Sequence, residues 1–138
     1  MRDLRRNFAA VLLLACTTPT VADTINLNPG DSIAAAVNAA SPGDEIVLAP
    51  GTYTVFGFQI LAGRLTIRGS GGSAVTTIEG GGPIWFTGRR LTLEGVTIAG
   101  FGSSGYLVQG DETLFRDVVF KIGENAVLIQ NDGGRCVF

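Results

Sequence analysis

Ile84-Trp85-Phe86-Thr87-Gly88 followed by Leu91-Thr92-Leu93-Glu94-Gly95-Val96-Thr97-Ile98 recurs 22 positions later as Tyr106-Leu107-Val108-Gln109-Gly110 followed by Thr113-Leu114-Phe115-Arg116-Asp117-Val118-Val119-Phe120. The same template fits Phe58-Gln59-Ile60-Leu61 and Leu65-Thr66-Ile67-Arg68-Gly69 at a shift of 26, and Val127-Leu128-Ile129-Gln130-Asn131 at a shift of 21. A fixed period of this size is the mark of a solenoid. Within each period apolar residues alternate in short runs broken by Gly, Asn or Asp, which is strand periodicity rather than helical. Gly69, Gly95 and Asp117 take one equivalent corner, and Gly88, Gly110 and Asn131 another. These residue types tolerate a left-handed backbone, so each coil is expected to bend at fixed corners and stack on its neighbour as parallel strands about 4.8 Å apart.

A second segment precedes the repeats. Asp31-Ser32-Ile33-Ala34-Ala35-Ala36-Val37-Asn38-Ala39-Ala40 places Ile33, Ala36, Val37 and Ala40 at helical spacing, with Asp31 or Ser32 as N-cap and Pro42-Gly43 as the stop. The apolar stripe of that helix needs a partner, and the open end of a solenoid offers one. This helix, the following Pro42-Gly43-Asp44-Glu45-Ile46-Val47-Leu48-Ala49-Pro50-Gly51-Thr52-Tyr53 and the repeats together resemble the pectin lyase-like superfamily. That superfamily includes pectate lyases, polygalacturonases, chondroitin and alginate lyases and mannuronan epimerases. The resemblance runs from about Ile25 to the end. It implies an all-β, right-handed parallel β-helix of three-strand coils, about four in number, with a short N-terminal capping α-helix.

Composition fits an exported all-β domain. Twenty Gly among 138 residues supply corners, and an apolar share of 46% supplies a core. A net charge of −2 without a basic stripe argues against a nucleic-acid surface. Residues 1–22 read as a signal peptide and 23–138 as the domain. Arg2, Arg5 and Arg6 flank the start, Phe8 to Ala15 form a short apolar core, and Thr20-Val21-Ala22 offers a cleavage site. The apolar run is too short for a transmembrane segment. Leu13-Leu14-Ala15-Cys16 also resembles a bacterial lipobox, so the alternative to a secreted or periplasmic protein is one with a lipid anchor at Cys16 in the envelope. If Cys16 is discarded with the peptide, Cys136 is the only mature Cys, and it aligns with Leu93 and Phe115 as a small buried apolar residue.

The resemblance also implies a ligand face. The first strands of successive coils are expected at Phe58 to Leu61, Ile84 to Thr87, Tyr106 to Gln109 and Val127 to Gln130. Alternation then turns Phe58, Ile60, Ile84, Phe86, Tyr106, Val108, Val127 and Ile129 inward, and leaves Gln59, Trp85, Leu107 and Leu128 outside beside Leu61, Thr87, Gln109 and Gln130. An outward Trp85 with Thr87, Gln109 and Gln130 suits a sugar: the ring covers a pyranose face while amide and hydroxyl groups meet its hydroxyls. The competing reading has Trp85, Leu107 and Leu128 covered by a loop such as Phe101-Gly102-Ser103-Ser104-Gly105.

Two further sets of charges recur with the period. Asp111 and Asp132 fall at equivalent corners of adjacent coils, where they can share a Ca²⁺ or serve as an acid and base beside the groove. They can equally be solvated turn residues, with Arg89 pairing Asp111. Arg68, Glu94 and Arg116 occupy one outward position in successive coils and are expected to form an alternating ladder that fixes register.

The chain has no His, which removes His-based acid-base and nucleophilic schemes, and it has no phosphate loop, metal-ligand cluster or nucleophile elbow. No residue matches a catalytic motif of the resembled enzymes. Arg135-Cys136-Val137-Phe138 falls inside an expected second strand, which predicts an incomplete solenoid whose open C-terminal end can self-associate. The expected function is the front part of a polysaccharide-binding or polysaccharide-degrading protein, not catalytic as it stands. A non-catalytic envelope or adhesive β-solenoid is the alternative.

Overall fold

The computed structural model describes residues 21–56, 58–60, 63–80, 84–86, 90–100, 106–108, 112–121, 128–129 and 135–137. In chain order these give β1 (Thr24–Leu27), α1 (Ile33–Ala39), β2 (Glu45–Leu48), β3 (Gly51–Val55), β4 (Phe58–Ile60), β5 (Arg64–Gly69), β6 (Thr76–Gly80) and β7 (Ile84–Phe86). Then follow β8 (Arg90–Ala99), β9 (Tyr106–Val108), β10 (Glu112–Lys121), β11 (Leu128–Ile129) and β12 (Arg135–Val137).

Every described strand pair is parallel. One sheet runs β1-β2-β5-β8-β10-β12, with β6 joining β3 to the second half of β8, and the other runs β11-β9-β7-β4. The described partners lie a coil apart in sequence and form no hairpins among themselves, so the chain winds as an all-β parallel β-solenoid of about three turns with one short helix.

The core consists of columns that climb this stack. Ile46, Ile67, Leu93 and Phe115 are successive register partners and all are buried. Tyr53, Ile78 and Ile98 form a second buried column, which ends on the half-buried Phe120. Phe115 and Phe120 meet edge to face at 5.5 Å between ring centres, so the two columns touch across the interior. Each buried Leu, Ile or Phe contributes about 1.5–3 kcal/mol relative to exposure. The repeat places the same kind of residue at the same point of each coil, so the gain accrues coil by coil. In the second sheet Ile60, Phe86, Val108 and Ile129 follow one another in register as the repeat requires.

The alignment of Cys136 with Leu93 and Phe115 does not hold: Cys136 pairs with Thr113. β11 keeps the shift of 21, with Leu128 opposite Leu107, whereas β12 lies 23 residues beyond its partner. The connection 130–134 is therefore two residues longer than the template, and the ungapped alignment carried the wrong count into the last strand.

The helix begins where its cap chemistry puts it. Ser32 Oγ accepts from the Ala35 amide at 3.1 Å and makes Ser32 the N-cap. The Asp31 carboxylate is used elsewhere, accepting from the Asn28 amide at 2.7 Å. Ile33, Ala36 and Val37 are buried, and the helix packs on β3 and β4. At its far end the buried Asp44 carboxylate accepts from the Ser41 amide at 2.7 Å and the Asp23 amide at 2.9 Å. It thereby pins the helix exit to the start of β1. Those two bonds hold its carboxyl below the usual carboxylate range, against the opposing push of desolvation.

Two of the three aligned corner residues have the expected left-handed backbone: Gly95 at φ +63° and Asp117 at φ +47°. Gly69 does not, and its reason is steric. A side chain there would run into the Gly95 carbonyl oxygen and press on Thr76. Next to this corner the turn carrying Ser73 reaches across the stack. The Ser73 carbonyl accepts from Thr97 Oγ1 at 2.7 Å. Its amide and hydroxyl donate to the two oxygens of Asp117 at 3.1 and 2.7 Å.

Candidate functional site

The expected ligand face coincides with the β4-β7-β9-β11 sheet. Short runs of alternating residues build it, and parallel pairing places Gln59, Trp85, Leu107 and Leu128 in one register row. The backbone of Trp85 is therefore located in the second rung of that row. The orientation of its side chain, and the whole of Thr87, Gln109 and Gln130, lie outside the described residues, as do Asp111, Asp132, Arg89 and Cys16. Among the described residues no three Asp, Glu, Cys or His side chains gather where they could hold a metal ion. No described helix is long and apolar enough to cross a membrane.

The polar chemistry of the described residues is concentrated on the solvent side of β5, β8 and β10. Arg68, Glu94 and Arg116 share a register row as the repeat predicts. Their geometry is less even than an alternating ladder suggests. Arg116 Nη1 stands 4.0 Å from Glu94 Oε2, at the limit of an ion pair, while Arg68 Nε bonds back to Glu45 Oε1 at 2.8 Å. Glu45 is the partner that holds the Arg68 guanidinium above its usual range, through that hydrogen bond first and its charge second. Glu94 adds a smaller effect in the same direction.

A second charged row runs beside the first. Arg64 pairs in register with Arg90, Arg90 with Glu112, and Glu112 with Arg135. Arg90 Nε bonds Glu112 Oε2 at 2.8 Å, with the two side chains 58% and 38% exposed. Arg64 has no carboxylate partner among the described residues. Between the rows lies a depression of about 230 Å³, walled by Arg64, Arg90 and Glu112 and floored by Thr66, Thr92 and Leu114. Thr66 is opposite Thr92, and Thr92 opposite Leu114, so the floor climbs one rung at a time.

Sequence reading found the Arg68 row and missed this one. Arg64, Arg90 and Glu112 each stand one residue ahead of the aligned runs that begin at Leu65, Leu91 and Thr113, where apolar alternation gives no signal. Extending each alignment by one residue and comparing charges would have found it. Comparison with protein families, with characterised proteins and with solved structures found no match to this chain.

Proposed function

We propose that this chain is the polysaccharide-binding part of an exported, right-handed β-helix of the pectin lyase-like kind, and that it binds its polymer without cleaving it. The observation that carries the reading is the register row Gln59, Trp85, Leu107, Leu128 on one continuous parallel sheet. Rungs about 4.8 Å apart form a regular track on which an extended chain of sugars can lie. An aromatic residue flanked by an amide along that track is the pairing that sugar rings favour. The lack of His, and of any match to the catalytic motifs of the resembled enzymes, supports binding over turnover.

The test is affinity electrophoresis of wild type and Trp85→Ala through gels containing pectin, alginate, chondroitin or xylan, with thermal melts of both proteins. Retardation of the wild type by one polymer, lost in Trp85→Ala at an unchanged melting temperature, is the expected result. If no polymer retards the wild type, the binding proposal fails. If Trp85→Ala unfolds the protein, Trp85 belongs to the core and the track is not the ligand face.

A further inference from the structure

The depression between the charged rows of β5, β8 and β10 has the chemistry of a binding site, and it is on a different sheet from the track proposed above. Five of the seven Lys and Arg residues beyond position 20, namely Arg64, Arg68, Arg90, Arg116 and Arg135, take register positions in these two rows. The chain as a whole is slightly acidic. Cations are thus gathered on one sheet, and among the described residues Glu45, Glu94 and Glu112 answer them in the ion pairs there.

Arg64 and Arg90 stand directly opposite one another on neighbouring strands, an arrangement of like charges that disfavours the sheet unless an anion lies between them. Glu112 supplies part of that neutralisation. It engages Arg90 through Nε and leaves Arg64 uncompensated among the described residues. A guanidinium has five donors, so Arg90 retains donors beyond the one committed to Glu112. Thr66 and Thr92, each with a hydroxyl to offer, line the same space.

We propose that this notch binds a singly charged oxyanion, either a carboxylate or a sulfate monoester, between Arg64 and the free edge of Arg90, with the hydroxyls of Thr66 and Thr92 beneath it. The sign and size of the charge follow from the walls. Among the described residues the charged side chains lining the notch are Arg64, Arg90 and Glu112, and together they carry one net positive charge, which a monoanion cancels and a dianion such as hydrogen phosphate exceeds. Planar guanidinium groups suit the paired oxygens of either group. The notch is open to solvent, so the interaction is screened by salt and its affinity belongs in the millimolar range.

The experiment titrates the full chain with methyl sulfate, acetate and, at pH 8, phosphate, followed by calorimetry and amide chemical shifts at low salt. Dextran sulfate is a further arm, distinguishing a small ion from a polymer as the source of the group. Methyl sulfate or acetate should saturate a site whose shifts centre on Thr66 and Thr92, and should outcompete phosphate. Arg64→Ala should weaken binding at least tenfold, whereas Arg68→Ala, whose guanidinium is already held by Glu45, should change it less than twofold. Arg64→Gln keeps the aliphatic stem and covers the case in which Ala disturbs the strand. Glu112→Gln should bind severalfold more tightly and move the preference toward phosphate, because the walls then carry two positive charges. Equal losses from Arg64→Ala and Arg68→Ala would reveal diffuse attraction to a basic face and overturn the proposal. So would the absence of saturable binding at tens of millimolar of all three ions. Trp85→Ala should leave this site intact, which separates the outcome from that of the polysaccharide track.

Discussion

Replacing Tyr53 with Phe removes one oxygen from the interior and should give a stability loss with a distinctive dependence on pH. Tyr53 is 1% exposed, and its hydroxyl lies 2.9 Å from both the Leu27 and the Ala49 carbonyl oxygens. With one proton it can donate fully to only one of them at a time. The Leu27 carbonyl also accepts from the Ala49 amide at 2.9 Å, so loss of the hydroxyl falls mainly on Ala49. One buried hydrogen bond lost, with one acceptor left short, gives about 1–2 kcal/mol at neutral pH.

Alkaline conditions should narrow that difference. Burial raises the Tyr53 pKa above its ordinary value of 10.0, outweighing the lowering effect of the Ala49 bond. A raised folded pKa means that the stabilisation is fully present below the unfolded value and is lost as pH climbs from there toward the folded one. Wild type should therefore lose up to about 1.4 kcal/mol per pH unit above 10, relative to Tyr53→Phe, while the folded hydroxyl stays protonated. The difference between the two proteins should narrow steadily as pH rises above 10. Urea denaturation at a series of pH values between neutrality and 11 measures both parts of the effect. A constant difference across the series would refute a buried, hydrogen-bonded hydroxyl, and so would no difference at neutral pH.

Gly69→Ala should destabilise the domain more than its single methyl group suggests, because the new carbon meets the Gly95 carbonyl oxygen, a backbone atom that cannot turn aside. A melting temperature equal to wild type would mean that the two coils are spaced more widely there. Asp44 should make the domain sensitive to acid. Its folded pKa is depressed, so its contribution is present above the ordinary carboxylate value and is lost as pH falls through the folded one. Wild type should lose stability below about pH 4, and Asp44→Asn should show a shallower acid slope in melts taken across that range.

The fold was legible because the repeat is written in the side chains that carry the core. Ile67, Leu93 and Phe115 are each the third residue of an aligned run, and they stack in register. Legibility failed where spacing alone had to be trusted. The longer connection before β12 shifted Cys136 by two places, and a loop of unknown length leaves no trace in apolar alternation. β1, which extends the first sheet beyond β2, has no counterpart in the repeat. The Arg64, Arg90 and Glu112 row escaped notice because it depends on which charges oppose one another across strands. Asp44 and Tyr53 were invisible for a related reason: each joins a nearby backbone group to one more than twenty residues away, Asp23 for Asp44 and Leu27 for Tyr53, and a single polar letter does not say which amide or carbonyl it will meet.

The turn at Ser73 bears on how the solenoid comes apart. In a stack of coils that touch only their immediate neighbours, stability is nearly a sum over adjacent pairs, and the end of the stack can peel away one layer at a time. Ser73 does not respect that rule. It follows β5, yet it bonds Thr97 in β8 and, 44 residues along the chain, Asp117 in β10, which packs on the far side of β8. This is a coupling between second neighbours. Detaching β10 must break contacts with the β5 layer as well as with β8, so the three layers should open together as one cooperative unit and exchange their amide hydrogens with a common rate.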